Sequence, residues 1–140
     1  MTEPRWLLRV QVEAIHEDLV REHGGLAGVR DESALESAIA KPINLFLHEK
    51  PDVHALAAAY AHGIAKNHPF FDGNKRTAFV IADVFLKLHG YAFSMSEQEA
   101  VPLVRGLASG EITQKQFAEF IRLNSKRIGP ERDWPKGRKH

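Results

Sequence analysis

The sequence predicts an all-α protein with a single domain. Apolar residues recur at intervals of three and four positions along most of the chain, the spacing that places them on one face of a helix. Ser, Thr or Asp precedes several of these segments, where a side-chain oxygen can cap the start of a helix. A chain of 140 residues is long enough to bury one core, so no second domain is required.

Two helices are predicted in the N-terminal third. Residues 10–23 carry an apolar stripe and are followed by a Gly-Gly pair that stops the first helix. The second helix begins at Asp31 or Ser33, because Ser33 and Glu36 have the spacing of a capping box. Pro42 is predicted to end it, since a proline lacks the N–H that continues a helix.

A loop, a long helix and a second loop are predicted next. Residues 43–51 mix apolar and polar types too briefly for a helix, which indicates an exposed flap or a short hairpin. Asp52 is a candidate N-cap for the third helix, whose apolar residues continue to Ala65. The helix is predicted to break at His68, because the following Pro69 disfavours helical geometry there.

The fourth helix is predicted to be the core of the bundle. It begins at Asn74 or Lys75, and residues 78–88 are apolar nearly all round. This pattern is typical of a helix that neighbours cover on several sides. We therefore predict a bundle arranged around this helix.

The C-terminal part is predicted to hold two further helices and a tail. Residues 91–94 are short and extended, and Ser96 and Thr113 each begin a helix with capping-box spacing. Gly and Pro then argue against order, so the domain is predicted to span residues 1–125. Residues 126–140 are predicted to be a basic, disordered tail.

Composition and charge exclude several classes of protein. The chain has no cysteine, which excludes disulfides, thiolate metal sites and a cysteine nucleophile. No apolar run is long enough to span a bilayer, and the N-terminus does not resemble a secretory signal. We therefore predict a cytoplasmic protein without membrane association. Residues 1–125 hold thirteen Lys or Arg against sixteen acids, so direct DNA binding is not predicted.

The loop before the fourth helix has the residues of a phosphate-binding site. Gly73 permits a sharp turn into a helix start, whose free N–H groups attract anions. Arg76 can grip two phosphate oxygens, and Asp72 is the acid in this loop that could bind Mg²⁺. His68 titrates near neutral pH and suits a general base. The remaining candidates are Asn74 and Lys75 as phosphate donors, and Pro69 and Phe70 as anchors of the loop.

Each of these residues also has a purely structural interpretation. A histidine beside a proline is more often a structural hydrogen-bonding group, and Asp-Gly is a common turn. Lys75 and Arg76 alone would be a solvated first turn. Asp83 is explained by an ion pair with Lys87 or with Arg76. The argument for a functional site therefore depends on the joint occurrence of these residues before a buried helix.

Residues 68–76, with the sequence HPFFDGNKR, resemble the signature of the Fic/Doc superfamily. That signature is a histidine, a phenylalanine, an acid, a glycine, an asparagine and an arginine in fixed order. The resemblance extends over residues 5–125 and implies a Fic-like helical bundle. Lys75 and Phe79 stand where typical adenylyl-transferring members have a glycine and a further arginine. Both departures are similar to the Doc (death-on-curing) branch of toxins.

The resemblance implies a protein kinase that uses ATP and Mg²⁺. Lys75 would crowd the space of the nucleotide's α-phosphate, so the γ-phosphate is transferred instead. His68 would be the base for a Ser or Thr hydroxyl of elongation factor Tu, with translation arrested as a result. Asp72 would bind the metal. The phosphate cradle would be formed by Gly73, Asn74, Lys75 and Arg76, and the target would be aligned by the flap residues Asn44, Leu45, Phe46 and Leu47.

The resemblance also implies control by a partner. Self-inhibited Fic proteins carry a Ser or Thr followed four residues later by Glu, and this chain has no such pair. A Phd-like antitoxin would therefore bind its C-terminal segment in a groove beside the site. Three alternatives stay open: an AMP transferase that tolerates Lys75, an inert module that holds nucleotide or a partner, and a nucleic-acid binder that uses the tail.

Overall fold

The computed structural model describes residues 3–130, which form six α-helices and one small antiparallel sheet. The all-α prediction is confirmed. In chain order the elements are α1 (Arg9–His23), α2 (Glu32–His48), α3 (Val53–Asn67), α4 (Asn74–Leu88), β1 (Tyr91–Phe93), α5 (Glu97–Ser109), α6 (Gln114–Leu123) and β2 (Ser125–Arg127). Within residues 3–130 no helix is both long and apolar enough to cross a membrane.

The centre of the bundle is α3, whereas the sequence predicted α4. Ten of the fifteen residues of α3 are buried, and this helix contacts α2, α4, α5 and α6. The reason is its small side chains, because alanine and glycine let neighbouring helices approach closely. A β-carbon on Gly63 would lie 2.9 Å from the Cα of Ala38 on α2. Helix α4 is also largely buried, but Val80, Val84 and Lys87 leave part of its surface exposed.

The predicted end of the second helix is wrong, because α2 continues through Pro42 to His48. Pro42 is buried, and the apolar stripe of the helix continues into Leu45 and Phe46, which pack against the core. Phe46 meets the Trp6 ring edge to face at a centroid distance of 5.6 Å. This burial outweighs the hydrogen bond lost at the proline, so residues 43–48 are helical and no flap or hairpin forms there.

The predicted helix caps are confirmed at three starts. The Asp52 side chain accepts the Ala55 N–H at 2.8 Å at the beginning of α3. Ser96 and Thr113 form capping boxes before α5 and α6. Each cap satisfies N–H groups that have no partner inside the helix, which fixes where the element begins.

The ordered C-terminal part extends beyond the predicted domain boundary at residue 125. Strand β2 pairs antiparallel with β1, with Ala92 opposite Lys126 and Tyr91 opposite Arg127. The Ile128 N–H then donates to the Gly90 carbonyl at 2.9 Å. Residues 131–140 of the predicted tail lie outside the described residues.

Candidate phosphate-binding site

His68 ends α3 in a left-handed backbone conformation, with φ of 48°. Pro69 prevents the helix from continuing, and left-handed geometry is unusual for a residue other than glycine. Two contacts fix the turn. The His68 N–H donates to the Ile64 carbonyl at 3.2 Å, and the Arg30 guanidinium donates to the His68 carbonyl. The imidazole is exposed where the helix meets the loop.

The loop after His68 is bound along its length to the segment between α1 and α2. The Pro69 carbonyl accepts the N–H groups of Arg30 at 2.7 Å and Asp31 at 3.1 Å. The Phe71 N–H donates to the Gly28 carbonyl at 3.2 Å. Pro69 is buried and Phe70 is 1% exposed, whereas Phe71 is 48% exposed and is not a core anchor. The loop is therefore a fixed part of the fold.

The Asn74 side chain fixes the loop from inside. Its Oδ1 accepts the Phe70 N–H at 3.0 Å, and its Nδ2 donates to the Phe70 carbonyl at 2.9 Å. Asn74 is 9% exposed. The amide therefore holds the loop, a structural role that the sequence did not predict. An amide nitrogen carries two N–H donors, so the role of the Asn74 side chain as a phosphate donor stays a prediction. Its backbone N–H, in the first turn of α4, remains able to bind an anion.

His16 supports the loop from α1. Its ring stacks on Phe70 with centroids 3.8 Å apart, and its Nε2 lies 2.7 Å from the Asp72 carbonyl oxygen. Because a carbonyl only accepts, Nε2 carries the proton of this hydrogen bond. Gly73 follows with φ of 76°, the left-handed geometry that turns the chain into α4. His16 is 2% exposed and is a structural residue of the site.

The Asp72 carboxylate lies at the outer edge of the loop. Its Oδ2 accepts the Leu26 N–H at 2.6 Å, which orients the side chain. Within residues 3–130 no group of three or more His, Asp or Glu side chains is arranged to hold a metal ion. Mg²⁺ commonly binds through one carboxylate together with substrate phosphates and water, so Asp72 fits such a site.

A cavity of about 430 Å³ opens at this loop. One wall is formed by the loop and the first turn of α4, and the other by α5. The two walls are joined by an ion pair between the Arg76 Nε and the Glu97 Oε2 at 2.6 Å. Arg76 therefore has a carboxylate partner that the sequence did not predict. The lining residues are His68, Phe71, Asp72, Gly73, Asn74, Lys75, Arg76, Glu97, Val101 and Arg105.

His68 is surrounded by positive charge. Partial desolvation, followed by the charges of Lys75, Arg30 and Lys66, lowers the pKa of His68 below its ordinary value of 6.5. Both effects disfavour the protonated imidazolium. The neutral ring, which can accept a proton, therefore predominates at neutral pH.

The structure brings together six of the predicted site residues and separates the flap from them. His68, Asp72, Gly73, Asn74, Lys75 and Arg76 all line the cavity. Residues 44–47 do not line it, and Leu45 instead lines a cavity of about 710 Å³ beside Asp52. These two cavities lie at opposite ends of α3, a helix of 15 residues that is about 22 Å long. At the larger cavity Asp52 is bound by both nitrogens of the Arg122 fork, at 2.7 and 3.0 Å.

Three residues of the site were missed in the sequence. His16, Glu97 and Arg105 were not among the predicted site residues. The signal available for α5 was its spacing, because positions 97, 101 and 105 lie on one helix face. No signal in the sequence indicated which helix that face would meet.

Comparison with known proteins agrees with this fold and loop. The family described as Fic/DOC matches residues 6–86, which include the whole of the loop. The "Protein kinase doc" of Escherichia phage P1 is 32% identical over 110 residues, covering 78% of this chain and 86% of that protein. The "Toxin Doc" of Mycolicibacterium smegmatis is 39% identical over 69 residues, covering 48% of this chain and 53% of that protein. The chain therefore belongs to the Fic/DOC family, as one of its Doc-type members.

Proposed function

We propose that the chain is the toxin of a toxin–antitoxin pair and acts in the cytoplasm as a protein kinase. It transfers the γ-phosphate of ATP to a Ser or Thr hydroxyl of a translation factor, elongation factor Tu, and arrests translation. One observation carries the proposal: His68, Lys75 and the first turn of α4 line the same cavity. The family relative named as a protein kinase supports the choice of reaction.

The reaction requires a base for the target hydroxyl and groups that bind the charged phosphate oxygens. His68 removes the proton of the target hydroxyl as its oxygen attacks the γ-phosphorus, and ADP leaves with the electrons of the broken bond. The backbone N–H groups at the start of α4 and the Lys75 ammonium bind the phosphate oxygens. The Arg76 Nε donates to Glu97, so the other two guanidinium nitrogens bind the phosphate oxygens.

Asp72 would hold Mg²⁺ together with the phosphate oxygens of ATP. The metal, when bound, neutralises charge that develops on the phosphates during transfer. Asp72 suits this role because the Leu26 N–H holds one carboxylate oxygen and thereby fixes the direction of the other. The geometry of the loop thus prepares the carboxylate before the nucleotide arrives.

An antitoxin is the proposed partner, since the chain's relatives include a protein named as a toxin. Leu26 and Phe71 are 59% and 48% exposed, and both belong to the segments that frame the loop. Apolar side chains at the edge of a polar site suit an amphipathic segment that folds on binding. We propose that the C-terminal segment of a Phd-like antitoxin covers them and blocks the cavity.

Separately labelled ATP tests which group is transferred. We expect label from the γ position to appear on the target, and none from the α position. Lys75→Gly removes the side chain proposed to crowd the α-phosphate, so we expect this variant to transfer label from the α position as well. The measurement is protein-bound label after incubation of translation extracts with each ATP.

Lys75→Met is the matched control, because it removes the charge and keeps the bulk of the side chain. We expect Lys75→Met to transfer the γ-phosphate alone, more slowly than the unchanged protein. Transfer of only the α label by the unchanged chain would identify an AMP transferase instead. An unchanged product in Lys75→Gly would show that Lys75 does not select the transferred group.

The pH dependence of transfer tests the state of His68. The base acts when neutral, and its pKa is lowered below 6.5, so the rate should rise with pH, and the midpoint of this rise should lie below pH 6.5. Initial rates from about pH 5 to 8 measure this rise. Lys66→Ala removes one nearby cation and should move this midpoint to higher pH, whereas Lys115→Ala, which removes an exposed lysine of α6, should not. A midpoint above pH 6.5 would contradict the assignment of His68 as the base.

A further inference from the structure

Helix α5 presents one face to the cavity. Glu97, Val101 and Arg105 all line it, and their spacing of four residues places them along a single side of the helix. This face stands opposite the loop and the first turn of α4. The cavity therefore has a second charged wall that lies outside the segment from His68 to Arg76.

Contacts at both ends of α5 show how this helix is oriented along the cavity. The N-terminal end of α5 is tied to α4 by the ion pair between Glu97 and Arg76. The C-terminal end approaches the end of α3, because a β-carbon on Gly110 would lie 3.6 Å from the Lys66 Nζ. Lys66 in turn contributes to the lowered pKa of His68. Arg105 is in the last turns of α5, toward the end of this helix that approaches Lys66.

The Arg105 side chain is exposed and has no hydrogen-bond or ion-pair partner among residues 3–130. Other arginines in this part of the chain are engaged. Arg9, Arg21, Arg76 and Arg122 pair with carboxylates, and Arg30 donates to backbone carbonyls. Arg105 therefore brings a complete guanidinium fork to a cavity whose acids, Asp72 and Glu97, already accept hydrogen bonds.

We propose that Arg105 is a further nucleotide-binding residue, which binds the terminal phosphoryl group of ATP on the side of the cavity nearest His68. The inference rests on the proposed function for the identity of the ligand. Its guanidinium fork matches two phosphate oxygens, and an arginine remains charged throughout the physiological pH range. Arg105 and the start of α4 then hold the nucleotide from opposite walls, while Glu97 positions Arg76 by its Nε.

Equilibrium binding of fluorescent ATP and ADP analogues to the full chain tests the proposal. We expect Arg105→Ala to weaken ATP binding about tenfold, the effect of losing one charge-assisted contact. ADP lacks the terminal phosphoryl group, so its affinity should change much less. Arg105→Lys, which keeps the charge and loses the fork, should recover part of the ATP affinity. Arg105 is exposed, and the melting temperature should stay unchanged.

Arg21→Ala is the matched control, because it removes an exposed arginine from α1, outside the cavity. We expect it to bind both nucleotides as the unchanged chain does. Equal ATP affinity in Arg105→Ala and the unchanged chain would overturn the inference, and so would equal losses in Arg105→Ala and Arg21→Ala. An equal loss for ADP and ATP would overturn the assignment to the terminal phosphoryl group.

The same experiment separates this inference from the proposed function. If the unchanged chain and Arg76→Ala both fail to bind nucleotide, the proposed kinase activity is wrong, and ATP is not the ligand of Arg105. If the unchanged chain binds ATP and Arg76→Ala does not, the site stands, and the result for Arg105→Ala decides the inference alone.

Discussion

Replacement of His68 by alanine is expected to lower phosphoryl transfer by about 10²–10⁴-fold, the usual contribution of general base catalysis. The physical reason is that no other neutral base lines the cavity among the described residues; its remaining titratable groups are acids or cations. Transfer of γ label to the target measures the effect directly. Growth of cells that express the variant should match that of cells without the toxin.

A second variant separates catalysis from backbone strain. His68 has a positive φ, and alanine tolerates this conformation poorly, so His68→Ala could lose activity through the turn. His68→Asn suits the left-handed region and is not a base at neutral pH, so we expect it to fold normally and remain inactive. His48→Ala removes an exposed histidine from α2 and should be fully active. Full activity in His68→Asn would remove His68 from the reaction.

Local signals in the sequence identified the ends of several elements. Asp52, Ser96 and Thr113 cap helices as predicted, because a cap depends on residues within one turn. The break at His68 follows from Pro69 for the same reason. The ion pair between Asp83 and Lys87 also forms within one turn, at 2.9 Å. These features need no knowledge of the tertiary fold.

Features that depend on tertiary contacts were missed or misplaced. Pro42 has the local properties of a helix stop, but it is buried, and α2 continues because Leu45 and Phe46 beyond it pack against the core. Helix α3 is central because other helices approach its alanines closely. The apolar pattern of α4 predicted that α4 would be the central helix instead. Glu97 meets Arg76 across twenty-one positions of the chain. Such a pair can be recognised only when the fold has placed the two helices together.

Asn74 shows that a side chain in a motif can have a structural role that the sequence does not indicate. Its position before the buried helix predicted a phosphate donor, and the residue does lie in the cavity wall. Both polar atoms of its amide are nevertheless bonded to the Phe70 backbone. A fixed loop positions His68, Asp72 and the α4 N–H groups before any ligand arrives, so the amide contributes to function through preorganisation.

Replacement of His16 by alanine is expected to have the second large effect. It removes the hydrogen bond to the Asp72 carbonyl and the stacking contact with Phe70, which together should cost about 2–4 kcal/mol of unfolding free energy. The same contacts hold the part of the loop that precedes Gly73, so nucleotide affinity should fall as well. Urea-induced unfolding and ATP binding at a temperature where the variant stays folded measure the two effects.

His16→Phe distinguishes support of the loop from general stability. Phenylalanine keeps the ring stacked on Phe70 but has no N–H for the Asp72 carbonyl, so most of the unfolding free energy should return. The loop turn at Gly73 would still lack its hydrogen bond, and ATP affinity should therefore remain below that of the unchanged chain. If His16→Phe restores both properties, stacking alone supports the loop. If His16→Ala changes neither, α1 does not hold the site, and the loop is fixed only by Asn74 and the segment before α2.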